Sequence, residues 1–197
     1  MRRDIVTSTL AVLILTVALG LGYPLLVTGV SQLAFPSQAN GELIRVAGKV
    51  VGSKRIGQSF GGNPRYFQSR PSATTPADNP AATTFSNLGP NDSATEKEIA
   101  ANIQAYLKLE GPFMAGLQAS DVPVDAADTS ASGIDPDISL ANARIQAHRV
   151  AAVRHLPLSA VTALIAGHVD GRTLGIFGEP GVNVLELNLA LDRESDR

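Results

Sequence analysis

The chain has 197 residues with 16 basic and 18 acidic side chains, no cysteine and no tryptophan. That length suits one domain plus a short accessory segment, and the near-neutral charge without a basic stretch argues against a nucleic-acid partner. Sparse aromatics leave no stacking surface for bases, and a disulfide framework is excluded.

The first predicted element is a transmembrane helix. From Ile5 to Val30 no residue is charged, and 14 of those 26 positions are Val, Ile or Leu. A helix of that length is ~39 Å long, against the ~30 Å of a bilayer's hydrocarbon core. Its Val, Ile and Leu residues favour insertion by roughly 4–8 kcal/mol. Met1-Arg2-Arg3 and Ser37-Gln38-Ala39 have the look of a cleaved secretory signal. Signal cores, however, run only about 7–15 apolar residues, so the expectation is an uncleaved single-pass anchor in lipid. Arg2 and Arg3 precede the span, while the next basic residue is Arg45. Positive charge stays cytoplasmic, which predicts residues 1–4 as a cytoplasmic tail and residues 31–191 as an extracytoplasmic domain. Removing Arg2, Arg3 and Asp4 leaves 14 basic and 17 acidic side chains, a net charge of −3.

The far end of the span reads Gly20-Leu21-Gly22-Tyr23-Pro24. Pro24 lacks a donor and its ring crowds the carbonyl four residues back, which belongs to Gly20. Thr16 with Gly20, and Ala18 with Gly22, form two small-residue tracks where another helix can approach closely. Thr16, Gly20, Gly22, Tyr23 and Pro24 are therefore the candidate subunit-contact residues. The competing reading is that small residues are simply common in membrane spans. Tyr23 and Phe35 suit the membrane–water interface.

Beyond the span, Gly41 to Phe60 predicts short strands with breaks at Gly52-Ser53 and Gly57, and with Val50, Val51, Ile56 and Phe60 as strand residues. Arg65 to Pro90, rich in Pro, Ala, Ser, Thr and Asn, predicts a long loop, either ordered or flexible. Ser93-Ala94-Thr95-Glu96 reads as a capping box, followed by an apolar stripe of Ile99, Ile103, Tyr106 and Leu107 and a stop at Gly111-Pro112. A second helix is expected from Ser139 to about His155, with Leu140, Ala143, Ala147, Val150, Ala151 and Val153 inward and Pro157 as its stop. A shorter one is expected from Ser159 to Ala166. Leu185, Leu187, Leu189 and Leu191 alternate with Glu186, Asn188 and Ala190, which predicts a strand over Val182 to Leu191. Asp192 to Arg197 reads as a frayed polar tail. Strands on both sides of a helical middle define an α+β domain.

Three chemical signatures fail on inspection. His148, His155 and His168 lack the ligand count a zinc site needs. Gly57-Gln58-Ser59-Phe60-Gly61 matches a serine-nucleophile pattern, but Gly62-Asn63-Pro64 denies it the helix that must follow. Gly48-Lys49 ends like a phosphate-binding loop, yet Leu43 stands where glycine is required and Val50 where Ser or Thr is. No cofactor is held by a recognisable motif.

Several blocks, in order along the whole chain, resemble the C subunit of the bacterial Kdp-type potassium-transporting ATPase. After the span these are Ile56-Gly57-Gln58 with Phe60, Tyr66-Phe67, Arg70-Pro71-Ser72-Ala73, Ser86-Asn87-Leu88-Gly89-Pro90, and Val122-Pro123 with Asp125. They continue with Ser132-Gly133-Ile134-Asp135-Pro136, Ile138-Ser139, Gln146, Arg149-Val150-Ala151, Arg154, Gly178-Glu179-Pro180 and Val182 to Asn188. The chain departs from that family at Thr84-Phe85, Ala127-Asp128, Ala131 and Asp137. The resemblance implies a non-catalytic accessory subunit, with partners that conduct potassium and hydrolyse ATP. It further implies that this subunit stabilises the assembly and raises the catalytic subunit's affinity for ATP as a catalytic chaperone. An extracytoplasmic domain would exert that effect through the complex; direct contact with ATP is the alternative. A membrane-anchored extracytoplasmic binding module, or a hydrolase built on Ser59, are the readings from other classes. Arg70, Asp135 and Glu179 are open to reading as site residues; Arg70 and Asp135, each before a proline and so pushed out of the helical region, look more like turn-fixing residues, and structural roles are the favoured reading.

Overall fold

The computed structural model describes residues 1–195. The chain divides into two compact units, one from residue 1 to 51 and the other from residue 52 onward.

The first unit is dominated by one long helix. Helix α1 (Arg2–Val17) passes through a π-helical turn (Ala18–Gly22) into α2 (Tyr23–Ala34), an unbroken 33 residues with none of its most apolar stretch buried. It is long and apolar enough to cross a membrane. A short α3 (Pro36–Ala39) follows, and Asn40 ties it back to the helix end by donating to Gln32 Oε1 at 3.0 Å and to the Pro36 carbonyl at 2.7 Å. Strands β1 (Leu43–Val46) and β2 (Lys49–Ser53) then pair. The turn between them is Ala47-Gly48, with φ of 48° and 79°, the left-handed two-residue connection whose twist matches that of paired strands. The expected break at Gly52-Ser53 is instead the end of β2, and Ile56 to Phe60 forms no strand. Gly57 explains why: its N–H donates to the Ile134 carbonyl at 2.7 Å, and an added Cβ would stand 2.6 Å from the Asp135 carbonyl oxygen. The segment is pinned to another loop rather than to a sheet.

The second unit is α+β. Helix α4 (Ser93–Glu110) carries the expected stripe, with Tyr106 buried and Ile99, Ile103 and Leu107 half-buried. Its cap is a correction: Asp92, not Ser93, accepts from the Ala94 N–H at 2.8 Å, which places Ser93 inside the first turn. A one-turn α5 (Val124–Ala127) leads to β3 (Asp137–Ser139). Ser139 caps α6 (Leu140–Arg154) by accepting from the Asn142 N–H at 3.1 Å. His155, left-handed at φ 57°, ends α6, and α7 (Leu158–Gly167) folds back against it through Val150, Val161 and Ile165. Strands β4 (Val169–Asp170) and β5 (Gly181–Asn183) complete an antiparallel sheet of order β3-β5-β4, with Ile138 and Val169 both opposite Val182.

The strand expected over Val182 to Leu191 is mostly helix. After β5 the chain enters α8 (Val184–Ser195). Asn183 accepts from the Glu186 N–H at 3.1 Å, the bond of an N-cap to the third helical residue. Val184, Leu187 and Leu191 share one buried face at helical spacing. The alternating leucines satisfied both periods, and the cap decided between them. Helix α8 takes in residues 192–195 of the expected tail, while Asp196 and Arg197 lie outside the described residues. The core gathers Phe67, Ile138, Ala143, Ala147, Val150, Val161, Ile165, Val182, Val184, Leu187 and Leu191.

Candidate functional site

Within the span, the π turn sits where Pro24 disturbs the backbone. Tyr23 donates its N–H to the Ala18 carbonyl, five residues back instead of four. Widening the turn moves carbonyls away from the proline ring, so the helix continues through a residue that would otherwise break it. Two of the five residues of this turn are glycines. A Cβ on Gly20 would meet only the Thr16 methyl at 4.0 Å, and one on Gly22 only the Val17 carbonyl oxygen at 3.7 Å. Thr16 and Gly20 therefore adjoin on one face, continued by Pro24 a turn further on. Gly22 lies two residues on, roughly half a turn round the axis. The five candidate contact residues thus divide between two faces, with Gly22 and Ala18 opposite the Thr16–Gly20–Pro24 track.

In the second unit the distinctive polar residues converge on one stretch of backbone, Pro64 to Gln68, which runs from the exposed Pro64 into the buried Phe67. Asn188 on α8 brackets Phe67, accepting from its N–H at 2.8 Å and donating to its carbonyl at 2.9 Å. Gln146 on α6 does the same for Gln68, at 2.7 and 3.1 Å. Arg149, fully buried, donates from Nη1 to the Pro64 and Tyr66 carbonyls and from Nε to Glu110 at 2.9 Å. Burial pushes the Glu110 carboxyl pKa up, and the adjacent Arg149 guanidinium opposes that rise. Arg154 donates to the Arg65 carbonyl at 2.7 Å and to Asp192 at 2.8 Å, and its guanidinium lies 4.7 Å from the Tyr66 ring centre. Side-chain amides thus do for this loop what a neighbouring strand does in a sheet. The sequence reading listed most of these residues but missed that they act together; the signal was three polar residues, Asn142, Gln146 and Arg149, interrupting the inward face of α6 at helical spacing.

Arg70 and Asp135 form an ion pair at 2.9 Å, joining the two loops they were expected to fix. Glu179 instead pairs with Arg172 at 2.8 Å. Asp78 sits beside Asp135, and burial together with that like charge lifts its pKa to about 6. Asp137 accepts from Asn183 at 3.2 Å, and its pKa is raised chiefly by burial. Ser59 accepts from the Gly61 N–H at 3.3 Å, and no helix follows it before residue 80. The nucleophile-elbow geometry is therefore missing. Gly48-Lys49 lies at a hairpin turn, not before a helix. His155 terminates α6, and His168 bonds the Leu164 carbonyl at 2.7 Å. Among the described residues no group of three or more metal-ligating side chains is assembled.

Two of the concavities on the second unit adjoin α4. One of about 190 Å³ lies between α4, α6 and the Gln68–Pro71 loop, lined by Asn102, Tyr106, Asn142 and Gln146. The other, about 390 Å³, runs along Phe85 to Pro90 and is lined by Glu98 and Asp128. Neither lining contains a lysine or arginine, so neither offers the positive charge a triphosphate requires.

Span and domain together define a membrane-anchored α+β protein whose distinctive residues are spent on its own interior. The family model for the K+-transporting ATPase c chain, KdpC, matches residues 5–193. A potassium-transporting ATPase KdpC subunit of Bradyrhizobium diazoefficiens is 46% identical over 205 residues, covering 98% of this chain and 98% of that protein. The subunit of the same name from Caulobacter vibrioides is 52% identical over 178 residues, 90% of this chain and 86% of that one. One from Mycobacterium bovis is 46% identical over 193 residues, 98% of this chain and all of its own length. The chain belongs to the KdpC family.

Proposed function

We propose that this chain is a non-catalytic accessory subunit of an ATP-driven potassium uptake pump. Its partners are the potassium-conducting and ATP-hydrolysing subunits of the same complex. The span anchors it in the inner membrane with the N-terminus in the cytoplasm and the domain outside. It stabilises the assembly and serves as a catalytic chaperone, raising the ATP affinity of the catalytic subunit through the complex. The observation that carries this reading is the family match across residues 5–193. The burial of Gln146, Arg149, Asn188 and Arg154 in scaffold contacts supports an adaptor over an enzyme. Concavities without a basic lining support an indirect route to ATP over direct contact.

The experiment is affinity purification of the tagged chain from detergent-solubilised membranes that also contain the two partner subunits. Both should be recovered in constant ratio, and omitting this chain should raise the apparent KM for ATP of what remains. Recovery of the chain alone would sink the reading.

A further inference from the structure

Between β4 and β5 the chain makes a small closed loop. Thr173 and Phe177 exchange backbone hydrogen bonds, 2.9 Å from the Thr173 N–H and 3.0 Å from the Phe177 N–H. Below them Arg172 Nη2 reaches both oxygens of Glu179 at 2.8 Å. The backbone is therefore closed and braced, yet the side chains it carries face solvent. Leu174 is 85% exposed, Ile176 70% and Phe177 62%. Leu174 also holds φ at +55°, a conformation in which glycine or asparagine is at ease and leucine is strained. The fold spends its bracing on presenting apolar side chains it does not itself use.

We propose that this Leu174–Ile176–Phe177 tip docks into an uncharged apolar recess on another subunit of the pump, on the side of the membrane that holds this domain. The inference rests on the accessory-subunit reading above. Area selects the kind of partner. Three side chains this exposed offer on the order of 400 Å², enough for a functional patch but about half of the ~800 Å² per side of a standard interface. A second copy of the chain meeting only this tip would be held too weakly. A partner also held through the span needs no more, because the second contact is then intramolecular in effect. Charge disfavours lipid. Arg172 is the only basic residue from Asp170 to Glu179 and is taken up by Glu179, whereas surfaces that lie on anionic lipid combine apolar side chains with free Lys or Arg.

The test uses the full chain co-expressed with the potassium-conducting and ATP-hydrolysing subunits. Replacing Leu174, Ile176 and Phe177 together by Ser should reduce recovery of those subunits in mild detergent at least fivefold, with the variant's own melting unchanged. Leu174→Gly removes the most exposed side chain while relieving its backbone, so it folds at least as well and should still reduce recovery two- to threefold. A photo-crosslinking amino acid at position 177 should give an adduct with one of the two pump subunits. Wild-type recovery by the triple variant, or an adduct only with lipid, only with a second copy or with nothing, overturns the proposal. Failure of the unaltered chain to recover the subunits is a separate outcome that removes the accessory-subunit reading and this inference with it.

Discussion

Arg149 in the middle of α6 and Glu110 at the last residue of α4 form an ion pair in which both side chains are sealed from solvent, with Nε 2.9 and 3.1 Å from the two carboxylate oxygens. Three further bonds from the same guanidinium reach the Pro64 and Tyr66 carbonyls and Gln146. Burying two charges costs more than their attraction returns unless the remaining donors are satisfied, and here they are used to hold a loop. Arg149→Ala strands the Glu110 charge and frees two carbonyls, so it should cost about 3–5 kcal/mol. Arg149→Met with Glu110→Leu removes both charges and should recover at least half of that. Thermal melting of the detergent-solubilised chain reads both; a loss under ~1 kcal/mol for Arg149→Ala, the scale of a surface pair, would contradict the arrangement.

Asp78 gives the domain a pH dependence of definite sign. Its pKa rises from 3.8 to about 6 in the folded chain, through burial and the neighbouring Asp135. Between those values the folded chain holds a proton that the unfolded chain has released. Stability therefore falls as pH rises through this window, and the full deficit is present above it. Asp78→Asn keeps a residue at ease at the observed φ of 58° and removes the charge. It should stabilise the domain at pH 7.5 by ~1 kcal/mol, the shift being discounted for a half-exposed group. The gain should vanish near pH 4; an equal gain at both pH values would show that the carboxylate's titration is not its source.

How far the sequence could be read depended on whether local signals were unique. The span, the stripe of α4 and the start of α6 near Ser139 were legible because apolar period and boundary residues agreed. The hairpin turn at Ala47-Gly48 escaped because alanine at positive φ carries no signature. Helix α8 escaped because the leucines alternate as in a strand, and that pattern does not show that Asn183 caps a helix through the Glu186 N–H. The polar core was half legible for a different reason. Asn142, Gln146 and Arg149 break the inward face of α6, but Asn188 and Phe67 are 121 residues apart, so nothing local shows which backbone such side chains will hold.

Orientation is open to a direct check, since the chain contains no cysteine. Ser159, exposed in the first turn of α7, can be replaced by Cys without touching the core. With the N-terminus inside, a membrane-impermeant thiol reagent should label it in intact spheroplasts. Labelling that appears only after lysis would place the domain in the cytoplasm, where direct contact with ATP becomes the better account.

Whether the span is a tether or a contact surface turns on the two glycines within the π turn. For a tether, any apolar helix of equal length would serve, because lipid tails discriminate weakly among apolar side chains. Contact between spans instead depends on close backbone approach and on polar groups finding partners. Gly20 has both advantages: Thr16 lies 4.0 Å from where its Cβ would be, and its own carbonyl is the one Pro24 cannot bond. Gly22 faces roughly the other way and has no hydroxyl beside it. Replacing both by Leu should leave insertion intact, since leucine is more favourable than glycine in lipid. It should weaken recovery of the pump's other subunits by about 1–2 kcal/mol, roughly tenfold in affinity. Gly20→Leu alone should account for most of that loss, and Gly22→Leu for little, if the Thr16–Gly20–Pro24 face is the one in contact. Equal losses from the two single variants would mean that both faces are engaged. Recovery by the double variant at the wild-type level would make the span a tether and assign assembly to the domain.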